Sequence, residues 1–318
     1  MPLFPDDRLL VGLEGPDDAA VYLLDNGQAV AATLDFFTPL VDDARDFGAI
    51  AAANALSDLY AMRATPMFAL NILAVPAGKL SPDVVGGILA GAGEICREAG
   101  IPIGGGHSID DPEPKFGLVA LGLLDPESFW RKGGARPGDA LVLGKALGTG
   151  IIATAHKRGT VDPHDLEAAV ASMRRLNRDA AEVLASFDPS SVTDVTGFGL
   201  VGHLAEVCRA SGISARLRAS GPRLLPGAVD LAAAGCVPGG TGRNLSGVAD
   251  ILDWGEDVDE TMRYVLADPQ TSGGLLAAVA PERAGDAAEA LTTAGYAAAV
   301  IGECLKPSPE GPRITVEP

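Results

Sequence analysis

Apolar residues run or alternate over 19–24 and 29–34, with Asn26-Gly27 between the two stretches. That arrangement predicts a β-hairpin. Residues 46–63 are apolar on nearly every side and rich in alanine, with Asp46 as the expected N-cap. They predict a helix buried all round. Residues 67–75 read as a buried strand, and Ser81-Pro82-Asp83 opens a second helix that Gly100 closes. Strands are predicted at 101–104 and 116–124, around a polar, Gly-rich loop. Asp125-Pro126 and the stretch from Arg131 to Gly138, with three Gly and one Pro, read as a linker. The domain boundary is placed there, giving domains at 1–134 and 135–318. Beyond it the pattern predicts a strand at 139–145 and helices at 149–158, 163–186 and 199–211. Strands at 274–280 and 297–302 then flank a helix at 282–294. Both halves mix strands with helices, so the fold class is α/β or α+β.

A chain of 318 residues with 47% hydrophobic content is long enough for two domains and too apolar for disorder. Its formal net charge of −18 argues against nucleic acid, because phosphate backbones are gripped by Lys and Arg patches. The charge is uneven. Residues 1–60 hold ten Asp and one Glu against Arg8 and Arg45, a net of −9. That excess reads either as an acidic, solubilising surface or as a cation site. Cys96, Cys208, Cys236 and Cys304 form no C-x-x-C pair and read as buried thiols in a reducing compartment. His107, His156, His164 and His203 show no zinc spacing. The N-terminus, M-P-L-F-P-D-D, has neither a basic nor an apolar leader region. No apolar run approaches the roughly 18–20 residues that span a bilayer. A soluble, cytoplasmic protein that binds neither membrane nor nucleic acid is the expectation.

The polar exceptions in the helix at 46–63 are Asn54, Ser57 and Asp58, spaced to share one stripe. A buried, unpaired carboxylate is costly, so Asp58 must be exposed, paired or bound to a metal. Three more positions place an Asp at a strand end or loop beside a buried segment: Asp17-Asp18 before Ala19-Ala20-Val21, Asp35 before Phe36-Phe37, and Asp194 in S-V-T-D-V-T-G-F-G. Singly these are turn and cap residues. Together they suggest carboxylates converging on a hard cation such as Mg2+, which takes one or two protein carboxylates and completes its shell with water and substrate phosphates. Residues 197–202, G-F-G-L-V-G, fit the spacing of a dinucleotide loop, but residues 215–225 lack the acidic partner that such a loop requires. Gly144-Lys145 is followed by Ala146, so there is no Walker A motif. The remaining glycine clusters, at 104–106, 239–240 and 273–274, suit either tight turns or close approach to an anion.

Seven segments in order resemble one family. They are D-D-A-A-V-Y at 17–22, L-D-F-F-T-P-L-V-D-D at 34–43, N-A-L-S-D-L-Y-A-M at 54–62, G-G-H-S-I-D-D-P-E-P at 105–114, T-D-V-T-G-F-G-L-V-G-H-L at 193–204, V-P-G-G-T-G-R-N at 237–244 and D-P-Q-T-S-G-G-L-L at 268–276. The family is that of the selenophosphate synthetases, of the aminoimidazole ribonucleotide synthetase-like superfamily. The resemblance implies two α/β domains, and a homodimer whose N-terminal sheets join with ATP near the interface. The implied activity makes selenophosphate, AMP and phosphate from ATP and selenide. By motif, Asp18, Asp58 and Asp194 match metal-binding positions. Gly15, Pro16, Asp17, Asp35, Asp58, Gly106, His107 and Ser108 match ATP-contacting positions. Many members carry Arg where this chain has Pro16. Mg2+ is the implied cofactor, because ATP and an aspartate cluster repel each other unless metal ions bridge them.

The family also has a Gly-rich N-terminal segment bearing a Cys or selenocysteine and a nearby Lys. The first Lys here is Lys79 and the first Cys is Cys96, inside a predicted helix. The expectation is that the sequence begins downstream of that segment and carries no catalytic residue of its own. The alternatives are another small-molecule kinase or synthetase of the superfamily, or a nucleotide-binding paralogue without catalysis.

Overall fold

A computed structural model describes residues 5–13, 15 and 17–318. Among these, the first six strands build one sheet: β1 (Leu9–Val11), β2 (Ala20–Leu23), β3 (Ala29–Phe37), β4 (Thr65–Val75), β5 (Ile103–Asp110) and β6 (Lys115–Leu124). Their order is β1-β2-β3-β6-β4-β5, antiparallel except for the β4–β5 pair. The expected hairpin is present as β2 and β3, paired Tyr22 to Val30 and Leu23 to Ala29 around Asn26-Gly27. The polar loop expected after residue 104 is instead strand: β5 continues to Asp110 along the edge, paired in parallel with β4. Its glycines permit this. A Cβ at Gly106, where φ is +153°, would lie 2.2 Å from the carbonyl oxygen of Asn71.

Helices α1 (Ala44–Ala61) and α2 (Pro82–Glu98) pack against each other on one side of this sheet. The N-cap of α1 is Asp43 rather than Asp46, because Asp43 has the extended backbone from which its carboxylate accepts the Arg45 and Asp46 amides, both at 2.8 Å. Asp46 pairs instead with Arg174 of the second domain. Where α1 and α2 cross, a Cβ on Gly48 would lie 1.9 Å from the Ile88 carbonyl oxygen, and one on Gly91 would lie 1.9 Å from that of Arg45. The two backbones touch there. Among the described residues no helix lies over the opposite face of the sheet, and Leu34 and Phe36 of β3 are about half exposed.

The second sheet contains β7 (Ala140–Leu143), β8 (Ser191–Asp194), β9 (Ser214–Arg218), β10 (Leu252–Trp254), β11 (Leu275–Val279), β12 (Ala299–Leu305) and β13 (Ile314–Glu317), in the order β10-β13-β9-β12-β7-β11-β8. Its two faces carry separate cores. Ala140 and Val142 face one core, which is continuous with the first domain, and Leu141 and Leu143 face the other. Strand β7 is therefore apolar at every position, as a strand covered on both faces must be. The helices are α3 (Thr149–Lys157), α4 (Pro163–Arg174), α5 (Arg178–Ala185), α6 (Gly199–Ser211), α7 (Ala228–Ala233), α8 (Gly239–Gly247), α9 (Glu260–Leu266) and α10 (Ala284–Thr293).

The single helix expected over 163–186 is broken into α4 and α5. Arg175 turns extended so that its guanidinium bonds the Ala294 and Gly295 carbonyls and lies 4.1 Å over the Tyr296 ring. Asn177 turns inward to donate to Ser57 and the Gly273 carbonyl, both at 2.8 Å. These are tertiary demands that a helical period does not contain. Strand β8 pairs with β11 in antiparallel fashion at the sheet edge, so the glycine loop at 197–202 opens no parallel β–α–β unit. Helix α1 touches β3, β4 and β6 on one side and β8, α4 and α5 on the other. That double contact accounts for its burial all round, and it brings the polar stripe of the helix to the junction of the domains.

Candidate functional site

At that junction four carboxylates face one another. Asp58 leaves α1, Asp35 leaves β3 on the face toward α1, Asp194 ends β8, and Asp18 precedes β2. Each is held by a neutral donor. Thr33 donates to Asp58, Asn54 to Asp35 at 2.8 Å, and Thr193 to Asp18 at 2.8 Å, while the Ser57 hydroxyl bonds Asp194. The whole predicted stripe thus faces the cluster. Asn54 also accepts the Ser272 amide at 2.8 Å, which fixes the loop 268–274 against α1.

Burial is the largest influence on all four acids and raises their pKa values. Asp18 is pushed up to about 8, with Asp194 and Asp17 adding to the effect against the opposing ammonium of Lys132. Asp35 rises to about 7, helped by Asp194 and opposed by Asn54. Asp58 is raised well above the carboxylate range by burial and then by Asp194, Asp35 and Asp18. Asp194 is raised too, although Ser57, Lys132 and Lys145 offset its burial. Opposed acids in a dry cleft hold protons unless a cation replaces them.

The donor set fits a hard cation. Oδ2 of Asp18 and Oδ2 of Asp194 are buried with no hydrogen-bond partner, and unsatisfied carboxylate oxygens are what a divalent ion takes. Among the described residues no three of His, Cys, Asp and Glu close into a ready-made ligand set.

The other expected site residues are placed unevenly. Asp17 spends its carboxylate on backbone, accepting the Lys132 amide at 3.1 Å on each oxygen and its neighbour's amide at 3.0 Å. Gly15 is exposed beside it, and Pro16 lies outside the described residues. Gly106, His107 and Ser108 are exposed on β5, three strands from β3, or roughly 14 Å at normal strand spacing. Within one chain they do not join the aspartates.

Sequence reasoning missed two lysines. Lys132, in the linker, places Nζ 3.2 Å from Asp18 and 2.9 Å from Glu206. Lys145 is fully buried and donates to the carbonyls of Arg175 at 2.6 Å and Ser272 at 2.8 Å. Burial lowers its pKa to about 7 against the pull of Asp194. Neither lysine carries a spacing signal, because the side-chain partners of Lys132 lie 74 and 114 positions away and the partners of Lys145 are backbone carbonyls.

Several motif residues turn out to be fasteners. Asp268 accepts the first-turn amides of α3, from Gly150 at 3.0 Å and Ile151 at 3.2 Å. Gln270 accepts the Gly148 and Thr149 amides, and Asn244 donates to the Gly197 and Ala267 carbonyls at 3.0 Å.

Two mixed α/β domains meeting at a carboxylate-lined junction define a class, the AIR synthase-related proteins. The family description "AIR synthase related protein, N-terminal domain" matches residues 16–124, and its C-terminal counterpart matches residues 136–311. The fold is shared with a thiamine-monophosphate kinase from Stenotrophomonas maltophilia K279a, at a TM-score of 0.70 and 18% identity over 97% of this chain and 91% of that one. It is shared also with a chain of a HypE-HypF complex, at a TM-score of 0.71 and 18% identity over 98% and 93%. Likeness at that identity is one of fold. Sequence narrows the class. The chain is 50% identical over 298 residues to the selenide, water dikinase of Myxococcus xanthus (strain DK1622), covering 93% of this chain and 84% of that protein. It is 46% identical over 306 residues to the selenide, water dikinase of Paraburkholderia xenovorans (strain LB400), covering 96% and 86%. The chain belongs to the selenide, water dikinase family.

Proposed function

We propose that this protein makes selenophosphate from selenide, ATP and water, releasing AMP and phosphate, with Mg2+-bound ATP held at the domain junction. The observation that carries this reading is the convergence of Asp18, Asp35, Asp58 and Asp194, two of them with unpartnered buried oxygens. A triphosphate brings about four negative charges, and such a cluster attracts it only through bridging cations. Asp18, Asp58 and Asp194 would hold the metal, which when bound neutralises the charge that develops on the transferred phosphoryl groups. The chain's own part is positioning. Thr33, Asn54, Ser57 and Thr193 fix the carboxylates, and the Ser272 loop and β8 close the cleft around them.

Gly15, Pro16, Asp17, Asp35 and Asp58 are assigned to nucleotide contact, Asp17 through the loop it anchors. The exposed β5 edge and the uncovered face bearing Leu34 and Phe36 support a homodimer joined through the N-terminal sheets. In that arrangement Gly106, His107 and Ser108 serve ATP at the interface. The domains are divided as residues 1–134 and 135–318.

The test is selenide-dependent AMP formation by the full-length protein with the N-terminal segment present, with selenophosphate followed by phosphorus NMR. Formation of ADP alone, with no selenium-bearing product, would overturn the assignment.

A further inference from the structure

The acids of the cluster differ in how their charge is balanced. Asp35 and Asp58 face other carboxylates and accept from neutral Asn54 and Thr33. Asp18, among the described residues, is the member in contact with an ammonium. Lys132 Nζ stands 3.2 Å from Asp18 Oδ1, and the lysine side chain is 11% exposed. Burial works against that charge, but Asp18 and Glu206 outweigh it and hold the lysine above its ordinary pKa.

The position of Lys132 is built from its backbone outward. Its amide is clamped by both oxygens of Asp17, and its carbonyl accepts the Ser191 hydroxyl at 2.6 Å. The preceding carbonyl, of Arg131, accepts the Val192 amide at 3.0 Å. The stem is thereby fixed, and the ammonium at its end has two seats. One is Asp18, whose other oxygen is buried and unpartnered. The second is Glu206 Oε2 on α6, at 2.9 Å and nearer to solvent, with a side chain 34% exposed. His203 lies beside Glu206, with its buried Nδ1 making no hydrogen bond among the described residues. The Nε2 of that ring accepts the Thr196 amide at 3.0 Å, so Nδ1 carries the proton, 3.6 Å from Glu206.

An ammonium and a divalent ion cannot share one carboxylate without strong repulsion, since charges a few Å apart interact strongly even at an effective dielectric of about 20. We infer that Lys132 is the resident counter-ion of Asp18, bridging it to Glu206 in the metal-free protein and retracting onto Glu206 alone when a divalent ion takes Asp18. Lys132 and Glu206 are then positioning residues that set metal affinity from opposite directions. The inference rests on the reading of Asp18 as a metal ligand.

The experiment titrates Mn2+ into the full chain and reads free Mn2+ by electron paramagnetic resonance, with no turnover required. Lys132→Met is expected to tighten Mn2+ binding about tenfold, because the competing charge is gone, and to lower the melting temperature of the metal-free protein. Lys132→Arg keeps the charge and is expected to bind and melt like the parent. Glu206→Gln removes the second seat and is expected to weaken Mn2+ binding about threefold or more. Its side chain is partly exposed, so this variant decides the question even if Lys132→Met does not fold. Unchanged or weaker binding in Lys132→Met, or unchanged or tighter binding in Glu206→Gln, would overturn the proposal alone. Failure of the parent to bind Mn2+ would overturn the metal reading itself, and the proposal with it.

Discussion

Asp58 illustrates how one residue is caught between folding and function. Nothing about its helix requires a carboxylate, since the helix is mostly alanine and leucine and the Asp58 side chain meets Thr33, Asp35 and Asp194. Asp58→Asn keeps the shape and removes a buried charge. It should therefore leave the metal-free melting temperature unchanged or raised while weakening Mg2+-dependent ATP binding more than tenfold, as read by calorimetry. Equal ATP affinity in variant and parent would refute the assignment. The same electrostatics governs pH. In the folded protein Asp18 titrates near pH 8 and Asp35 and Asp268 near pH 7, against about 3.9 for an unfolded Asp. Between those limits the folded state holds protons that the unfolded chain has released. The stability these groups contribute is complete below about pH 4 and is lost as pH rises through the folded values. Lys145, lowered to about 7, works the other way and adds stability only above that pH. Melts in EDTA should accordingly fall between pH 5 and about 7.5, and the stabilisation conferred by Mg-ATP should grow over the same window, because binding expels those protons. A flat metal-free profile would contradict the buried-acid picture. The stripe Asn54, Ser57 and Asp58 was legible from its spacing alone. Lys132 was not, because Asp18 lies 114 positions away and only the fold brings the two together.

Helix α1 carries the architecture at the scale of elements. It is packed by the first sheet, by α2 and by the second domain, so alanines fill its close contacts while Phe47, Ile50, Leu56 and Leu59 are fully buried in the core. The crossing with α2 depends on backbone contact. Gly48→Ala would set a methyl 1.9 Å from the Ile88 carbonyl oxygen and should cost at least about 2 kcal/mol in urea denaturation. Gly93→Ala, in α2 with nothing within 4 Å of the new methyl, should be neutral or stabilising by up to about 1 kcal/mol. Similar losses for the two variants would mean that helix propensity, not the crossing, is being measured. Element types were largely readable along the chain: the hairpin, α1, α2, α3 and α6 follow from period and capping. Two readings failed for tertiary reasons. The glycines of 104–106 suggested a loop, but the parallel pairing of β5 with β4 uses them as strand. The period over 163–186 suggested one helix, but Arg175 and Asn177 are recruited by other elements and break it.

The whole molecule leaves one sheet incomplete. Leu34, Phe36 and Ile109 are each about half exposed, on a face and edge that no element among the described residues covers. Ile109→Lys should therefore yield a monomer by analytical ultracentrifugation, with the melting transition retained and ATP turnover reduced; an unchanged mass would count against pairing through this edge. The −18 net charge also changes meaning at this scale. Part of the excess in residues 1–60 is the inward-facing group of Asp17, Asp18, Asp35 and Asp58, while Asp43 caps α1 and Asp46 pairs with Arg174. The sequence by itself determined the family, the α/β class and the residue types of the cluster, because ordered motifs and local periods are properties of the chain. Tertiary structure decided which aspartates face one another, which are consumed as anchors like Asp17, and which lysines stand beside them. Those outcomes depend on distances between residues from different elements and different domains, and Coulomb and desolvation energies act through space, not along the chain.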